Sequence, residues 1–76
     1  MKDKIKALLE KEFPNIDFSD NIELINDGVI DSLTLSVIIT ILSIEFDIMI
    51  PQTEIKEENF NSIDSMVAMV ERLKIK

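Results

Sequence analysis

Residues 31–46 read Asp31-Ser32-Leu33-Thr34-Leu35-Ser36-Val37-Ile38-Ile39-Thr40-Ile41-Leu42-Ser43-Ile44-Glu45-Phe46. The stretch from Ser36 to Ile44 is rich in β-branched residues, and by composition alone it suits a strand. Length decides otherwise. About fifteen residues pass without Gly or Pro, whereas strands average about 5–6 residues. The segment therefore reads as a helix that begins at Asp31 or Ser32, runs to about Phe46 and ends before Pro51. Either Asp31 or Ser32 can cap it by accepting a bond from a first-turn N–H.

Stepping about 100° per residue along this helix gives two apolar stripes. Leu35, Ile38, Ile39, Leu42 and Phe46 share one arc, which should face a core. Leu33, Val37, Ile41, Ile44 and Ile48 cluster on nearly the opposite side. A helix apolar on opposite faces is buried all round or holds one face for a partner. In a domain this small, full burial is hard to arrange. One reading is that the segment after Pro51 covers part of the second stripe, at Ile41 and Ile48. The favoured reading is an exposed docking surface that begins with Leu33 beside Ser32 and continues through Val37, Ile41 and Ile44.

Outward from this helix the periodicity changes. Residues 15–30 have no sustained period and are rich in Asn, Asp and the chain's single Gly. They read as a long loop, pinned to the core by Ile16, Phe18, Ile22, Leu24 and Ile25; a structured loop of this length inside a small domain usually has a purpose. Upstream, residues 4–13 place Ile5, Leu8, Leu9 and Phe13 on one stripe, an amphipathic helix stopped by Pro14. Downstream, residues 52–60 have room for one short helical turn. Ser62 can then cap a last helix over residues 63–73, with Ile63, Met66, Val67, Val70 and Leu73 on one face. The expectation is an all-α domain spanning residues 1–76: a small four-helix bundle with three long helices, one short one and a long first loop.

Composition narrows the function. Seventy-six residues are close to the lower limit for a single hydrophobic core, and with no cysteine that core must form by packing alone. The absence of histidine, cysteine, tryptophan and tyrosine removes most nucleophile–base pairs and the usual transition-metal ligands. Ser32 thus has no histidine to activate it, and any chemistry at its hydroxyl must be done by another protein. The net charge of −7, from 8 basic and 15 acidic residues, disfavours nucleic acid and anionic membrane surfaces. Asp17, Asp20, Asn21 and Asp27 suggest a calcium loop, but they lack the EF-hand spacing and its terminal glutamate, so a solvated acidic loop is expected instead. The N-terminus carries no signal-peptide pattern, and residues 33–50 are too short and too polar to span a bilayer. A cytoplasmic monomer is expected.

Gly28 allows a positive φ in the approach to Asp31-Ser32-Leu33. At the start of a helix, Ser32 lies near unpaired N–H groups and the positive end of the helix dipole, which tolerate an attached phosphate. Taken alone, such a serine is an ordinary cap. Asp31-Ser32-Leu33, followed by an apolar helix ending Glu45-Phe46-Asp47 and then Ile50-Pro51, resembles the acyl carrier protein family over nearly the whole chain. The resemblance implies a bundle whose serine, here Ser32, carries a 4′-phosphopantetheine arm taken from coenzyme A by a separate phosphopantetheinyl transferase. The arm's thiol would hold an acyl or aminoacyl group as a thioester, between a loading enzyme and an acceptor transferase. The reactive sulfur would then arrive with the cofactor. The resemblance also associates Asp31 with the magnesium-dependent transfer reaction, although no resident metal site is expected, and it places Gly28 and Leu33 in the attachment motif.

Fatty-acid members of that family expose carboxylates on the second helix, where this chain has Thr34, Val37, Ser43 and Ile44. Docking through charge to fatty-acid synthesis enzymes is accordingly not expected. The segment Asp27-Gly28-Val29-Ile30-Asp31-Ser32-Leu33, and the spacing from Pro51 through Glu54-Ile55 and Glu58-Asn59-Phe60 to Ile63, are similar to D-alanyl carrier proteins. That likeness implies D-alanine received from an adenylating ligase and passed toward teichoic acid, while stand-alone carriers of secondary-metabolite or surface-polysaccharide pathways share the same features. A helical interaction module that binds a partner helix through the second stripe, with no cargo, is the alternative from another class.

Overall fold

The computed structural model describes residues 1–19 and 21–75, with side-chain placement to residue 74. Four helices follow one another: α1 (Lys2–Glu12), α2 (Ser32–Phe46), α3 (Glu57–Phe60) and α4 (Ile63–Ile75), with a 3₁₀ turn at Gln52–Glu54 before α3. Among the described residues there is no strand. The helix reading of residues 31–46 holds, and the expected all-α bundle is the observed one. The segment after Pro51 differs in detail: it folds as two short pieces, because Ile55 leaves helical geometry (φ −84°, ψ 82°) between them.

α4 contacts each of the other helices, and α1 also packs on α2. The buried core comprises Ile5 and Leu9 of α1, Ile38 and Leu42 of α2, Phe60 of α3, and Ile63, Met66, Met69 and Val70 of α4, together with Phe18, Leu24 and Ile30 from the loop between α1 and α2. Met69 belongs to this core although the sequence pattern does not single it out. Val67 and Leu73, placed on the same face by periodicity, are only partly buried. Every core side chain of this set is apolar, and the one buried polar residue among the described residues is Asn59.

Caps define the helix limits. Ser62 accepts a bond from the Ser65 N–H at 3.0 Å and starts α4 as expected. Asp47 ends α2 in the left-handed region (φ 52°), with its N–H donating to the Ser43 carbonyl. α3 is a single turn, and polar contacts hold it: Asn59 Nδ2 donates to the Glu54 carbonyl (2.7 Å) and to Glu54 Oε1 (3.0 Å). Arg72 of α4 donates to the same carboxylate at 2.7 Å and to Asn59 Oδ1 at 3.3 Å. Buried polar groups need such partners, because leaving one unpaired costs more than the bond contributes.

On α2, Leu42 is wholly enclosed, whereas Phe46 is half-buried, with the Lys4 and Lys74 ammonium groups 5.3 and 5.7 Å from its ring centre. Leu42→Ala should therefore lower the unfolding free energy by about 2–5 kcal/mol, and Phe46→Ala by less. Urea denaturation followed by circular dichroism measures both.

Candidate functional site

The start of α2 settles which residue caps it. Asp31 is extended (φ −104°, ψ −176°), and its Oδ1 accepts from the Thr34 N–H at 2.8 Å. The cap is Asp31, so Ser32 is left without that duty. The Ser32 side chain is exposed, and its hydroxyl makes no hydrogen bond to the described residues, while its carbonyl accepts from Ser36 Oγ at 3.0 Å. The bonds from Thr34, its backbone N–H first, hold the Asp31 carboxyl below its ordinary value of 3.8. An ionised carboxylate thus stands beside a free hydroxyl at the positive end of α2.

Behind the serine, the loop is built as a compact turn. Gly28 takes φ +72°, and a Cβ there would meet nothing within 4 Å, so it is the backbone angle that calls for glycine. Asp27 N–H donates to the Glu23 carbonyl (2.7 Å), and Glu23 N–H donates back to Asp27 Oδ2 (3.0 Å). The Leu24 carbonyl accepts from both Val29 (2.9 Å) and Ile30 (3.0 Å). Leu24 and Ile30 are buried; Ile16, Ile22 and Ile25 are partly buried against the core, as the loop reading expects. Ile25, Ile30, Asp31, Ser32 and Leu35 line a shallow pocket of about 260 Å³ directly beside the serine.

The acidic loop residues do not converge on a cation. Asp17 accepts from the Ser19 hydroxyl and N–H, which hold its carboxyl below the ordinary range; Asp27 bonds the turn, and Asp20 lies outside the described residues. Among the described residues no group of His, Cys, Asp or Glu is arranged to hold a metal ion.

The outer face of α2 carries no charge. Ser36, Thr40 and Ser43 turn their hydroxyls onto the carbonyls four residues back (3.0, 3.0 and 2.7 Å), which satisfies them within the helix. Glu45, the one ionisable residue of α2, pairs with Lys4 of α1 at 3.1 Å. Beside this hydroxyl row, Leu33 and Ile44 are each 76% exposed and Val37 is half-buried. Ile41 and Ile48 pack partly against the core. Met49, just past the end of α2, is a further exposed apolar side chain, 85% accessible. Periodicity misses it because it lies outside the helix. No described helix is long and apolar enough to cross a membrane.

Two curated proteins resemble this chain, each named D-alanyl carrier protein, from two strains of Lactobacillus delbrueckii subsp. bulgaricus. Both are 36% identical over 59 residues, covering 75% of this chain and 74% of the relative. No family model matches the chain, and no solved structure does.

Asp31 supplies a test of the cap. Its folded-state pKa lies below its unfolded value, so its contribution is fully present above about pH 4 and is lost as the pH falls through the depressed folded value. Asp31→Asn keeps a side-chain acceptor but cannot ionise. The wild type should have the higher thermal midpoint at neutral pH, and the gap should close well below pH 3.8. Thermal melts across that range measure it.

Proposed function

This chain belongs to the acyl carrier protein family and functions as a carrier, and we propose that it holds its cargo on a 4′-phosphopantetheine arm attached to Ser32. One observation carries the reading: Asp31 caps α2, which leaves the Ser32 hydroxyl exposed and unengaged at a helix N-terminus. That position suits a phosphodiester, since the first-turn N–H groups and the helix dipole favour negative charge. When bound, the arm supplies the thiol that holds an acyl or aminoacyl group as a thioester.

Attachment needs a phosphopantetheinyl transferase. Ser32 Oγ forms a bond to the pantetheine-bearing phosphorus of coenzyme A, and the phosphoanhydride bond to the adenosine-bearing phosphate breaks. Adenosine 3′,5′-bisphosphate leaves, and the hydroxyl proton passes to a base of the transferase. Asp31, ionised and adjacent, is the chain's own group placed to attract the magnesium ion of that reaction. Gly28 shapes the approach to the site, and Leu33 begins its apolar edge. The chain itself performs no catalysis and works as a monomer in the cytoplasm, between a loading enzyme and an acceptor transferase.

Leu33, Val37 and Ile44, with Ile41 at the margin, form the surface on which those enzymes dock. The uncharged face of α2 supports this reading: docking proceeds by packing, and the charge of −7 contributes steering from elsewhere on the surface. For the cargo we propose D-alanine, supported by the name of both relatives and by the loop pattern around Gly28 and Ser32.

Three measurements test these statements. Incubated with coenzyme A and a promiscuous phosphopantetheinyl transferase, the wild type should gain the mass of one arm and Ser32→Ala none; an unmodified wild type across several transferases would count against the proposal. The modified chain should then accept D-alanine from a D-alanine-adenylating ligase in preference to other amino acids. Val37→Glu and Ile44→Glu should retain helical circular dichroism yet load at least about fivefold more slowly, the loss that removal of one central interface contact produces. Loss of helicity in those variants would assign the stripe to the core.

A further inference from the structure

We infer that Asn61, at the junction of α3 and α4, is a positioning residue for modification of Ser32, an assignment that rests on the carrier reading above. Three consecutive N–H groups of the loop converge on this one residue. Leu24 N–H donates to the Asn61 carbonyl at 2.8 Å, and Ile25 and Asn26 N–H donate to Asn61 Oδ1 at 2.9 and 3.2 Å. The arrangement resembles a helix cap supplied from 35 residues away in sequence. Among the described residues, no other residue outside the loop makes a hydrogen bond to residues 21–30.

Two routes lead from Asn61 to the serine. Along the backbone, the Leu24 N–H is fixed by Asn61 while the Leu24 carbonyl fixes Val29 and Ile30. Ile30 directly precedes the capping Asp31. Across space, Ile25 and Ile30 line the pocket beside Ser32, and the Ile25 backbone is held by Asn61 Oδ1. Burial of Leu24 and Ile30 sets how deep the turn sits, because apolar burial is non-directional. Its orientation depends on the directional bonds to Asn61. Asn61 is itself anchored on either side by buried Phe60 and by the Ser62 cap of α4.

Removing the side-chain acceptor leaves the Ile25 and Asn26 N–H groups unpaired and loosens the turn without touching Ser32 or the α2 face. When only a fraction of molecules hold the competent loop, the apparent affinity for the transferase falls by that fraction, and turnover of the bound complex is unchanged. Asn61→Asp keeps the Oδ acceptor and serves as the conservative rescue.

Transferase kinetics with coenzyme A saturating and the carrier varied, combined with amide hydrogen exchange on the same full-length variants, test the assignment. For Asn61→Ala the KM for the carrier should rise about tenfold with kcat nearly unchanged, the scale set by losing two ordinary hydrogen bonds that order the turn. The Val29 and Ile30 amides, whose own acceptor is Leu24, should exchange faster by a similar factor, while Met69 and Val70 amides of α4 stay as protected as in the wild type. Asn61→Asp should keep wild-type kinetics. An unchanged KM, or faster exchange spread equally over α4, would overturn the assignment while leaving the Ser32 proposal in place. A wild type that gains no arm would instead bring down the Ser32 proposal, and the Asn61 assignment with it.

Discussion

A chain of 76 residues without cysteine has to close its core by packing alone, and the core it closes is not drawn from the helices alone. The loop between α1 and α2 contributes to it by placing Phe18, Leu24 and Ile30 among the helix residues. That requirement propagates. A loop that contributes to the core cannot be slack, so its backbone groups must find partners, and they find them within the turn and at Asn61. The serine that follows such a loop inherits a fixed position.

The two sides of α2 divide the remaining tasks. Ile38 and Leu42 face inward and are fully buried. On the other side, hydroxyls bonded to the helix's own carbonyls and a few exposed apolar side chains leave a surface without charge. In an otherwise acidic protein, the side next to Ser32 can therefore be approached with little charged desolvation. A partner that grips there by packing has to bury only apolar area and satisfied hydroxyls. The acidic residues outside this face set the long-range field.

Much of this was legible in the sequence, for reasons that can be located. The length of residues 31–46 without a breaker distinguished helix from strand despite the β-branched content, and the stepping of Leu33, Val37 and Ile44 against Ile38 and Leu42 separated outer from inner face. Ser62 announced α4. Other features depend on tertiary structure. Asp31 and Ser32 are equally good caps on paper, and the extended backbone at Asp31 decides between them. The partial burial of Ile41 and Ile48 depends on tertiary packing that helical stepping alone does not reveal. Met69 fills the core from a position just off the predicted stripe, because α4 is surrounded on more than one side. Asn61, an unremarked polar residue in a connection, acquires its role only when the loop arrives beside it.

The central claim is that the free hydroxyl at the start of α2 is the attachment point. Fragmentation mass spectrometry of the wild-type chain after incubation with coenzyme A and transferase tests it most directly, since it reads the position of the added phosphodiester. The account predicts the arm on the peptide containing Asp31-Ser32-Leu33 and on Ser32 within it. An arm found on Ser36, Ser62 or any other hydroxyl would contradict it.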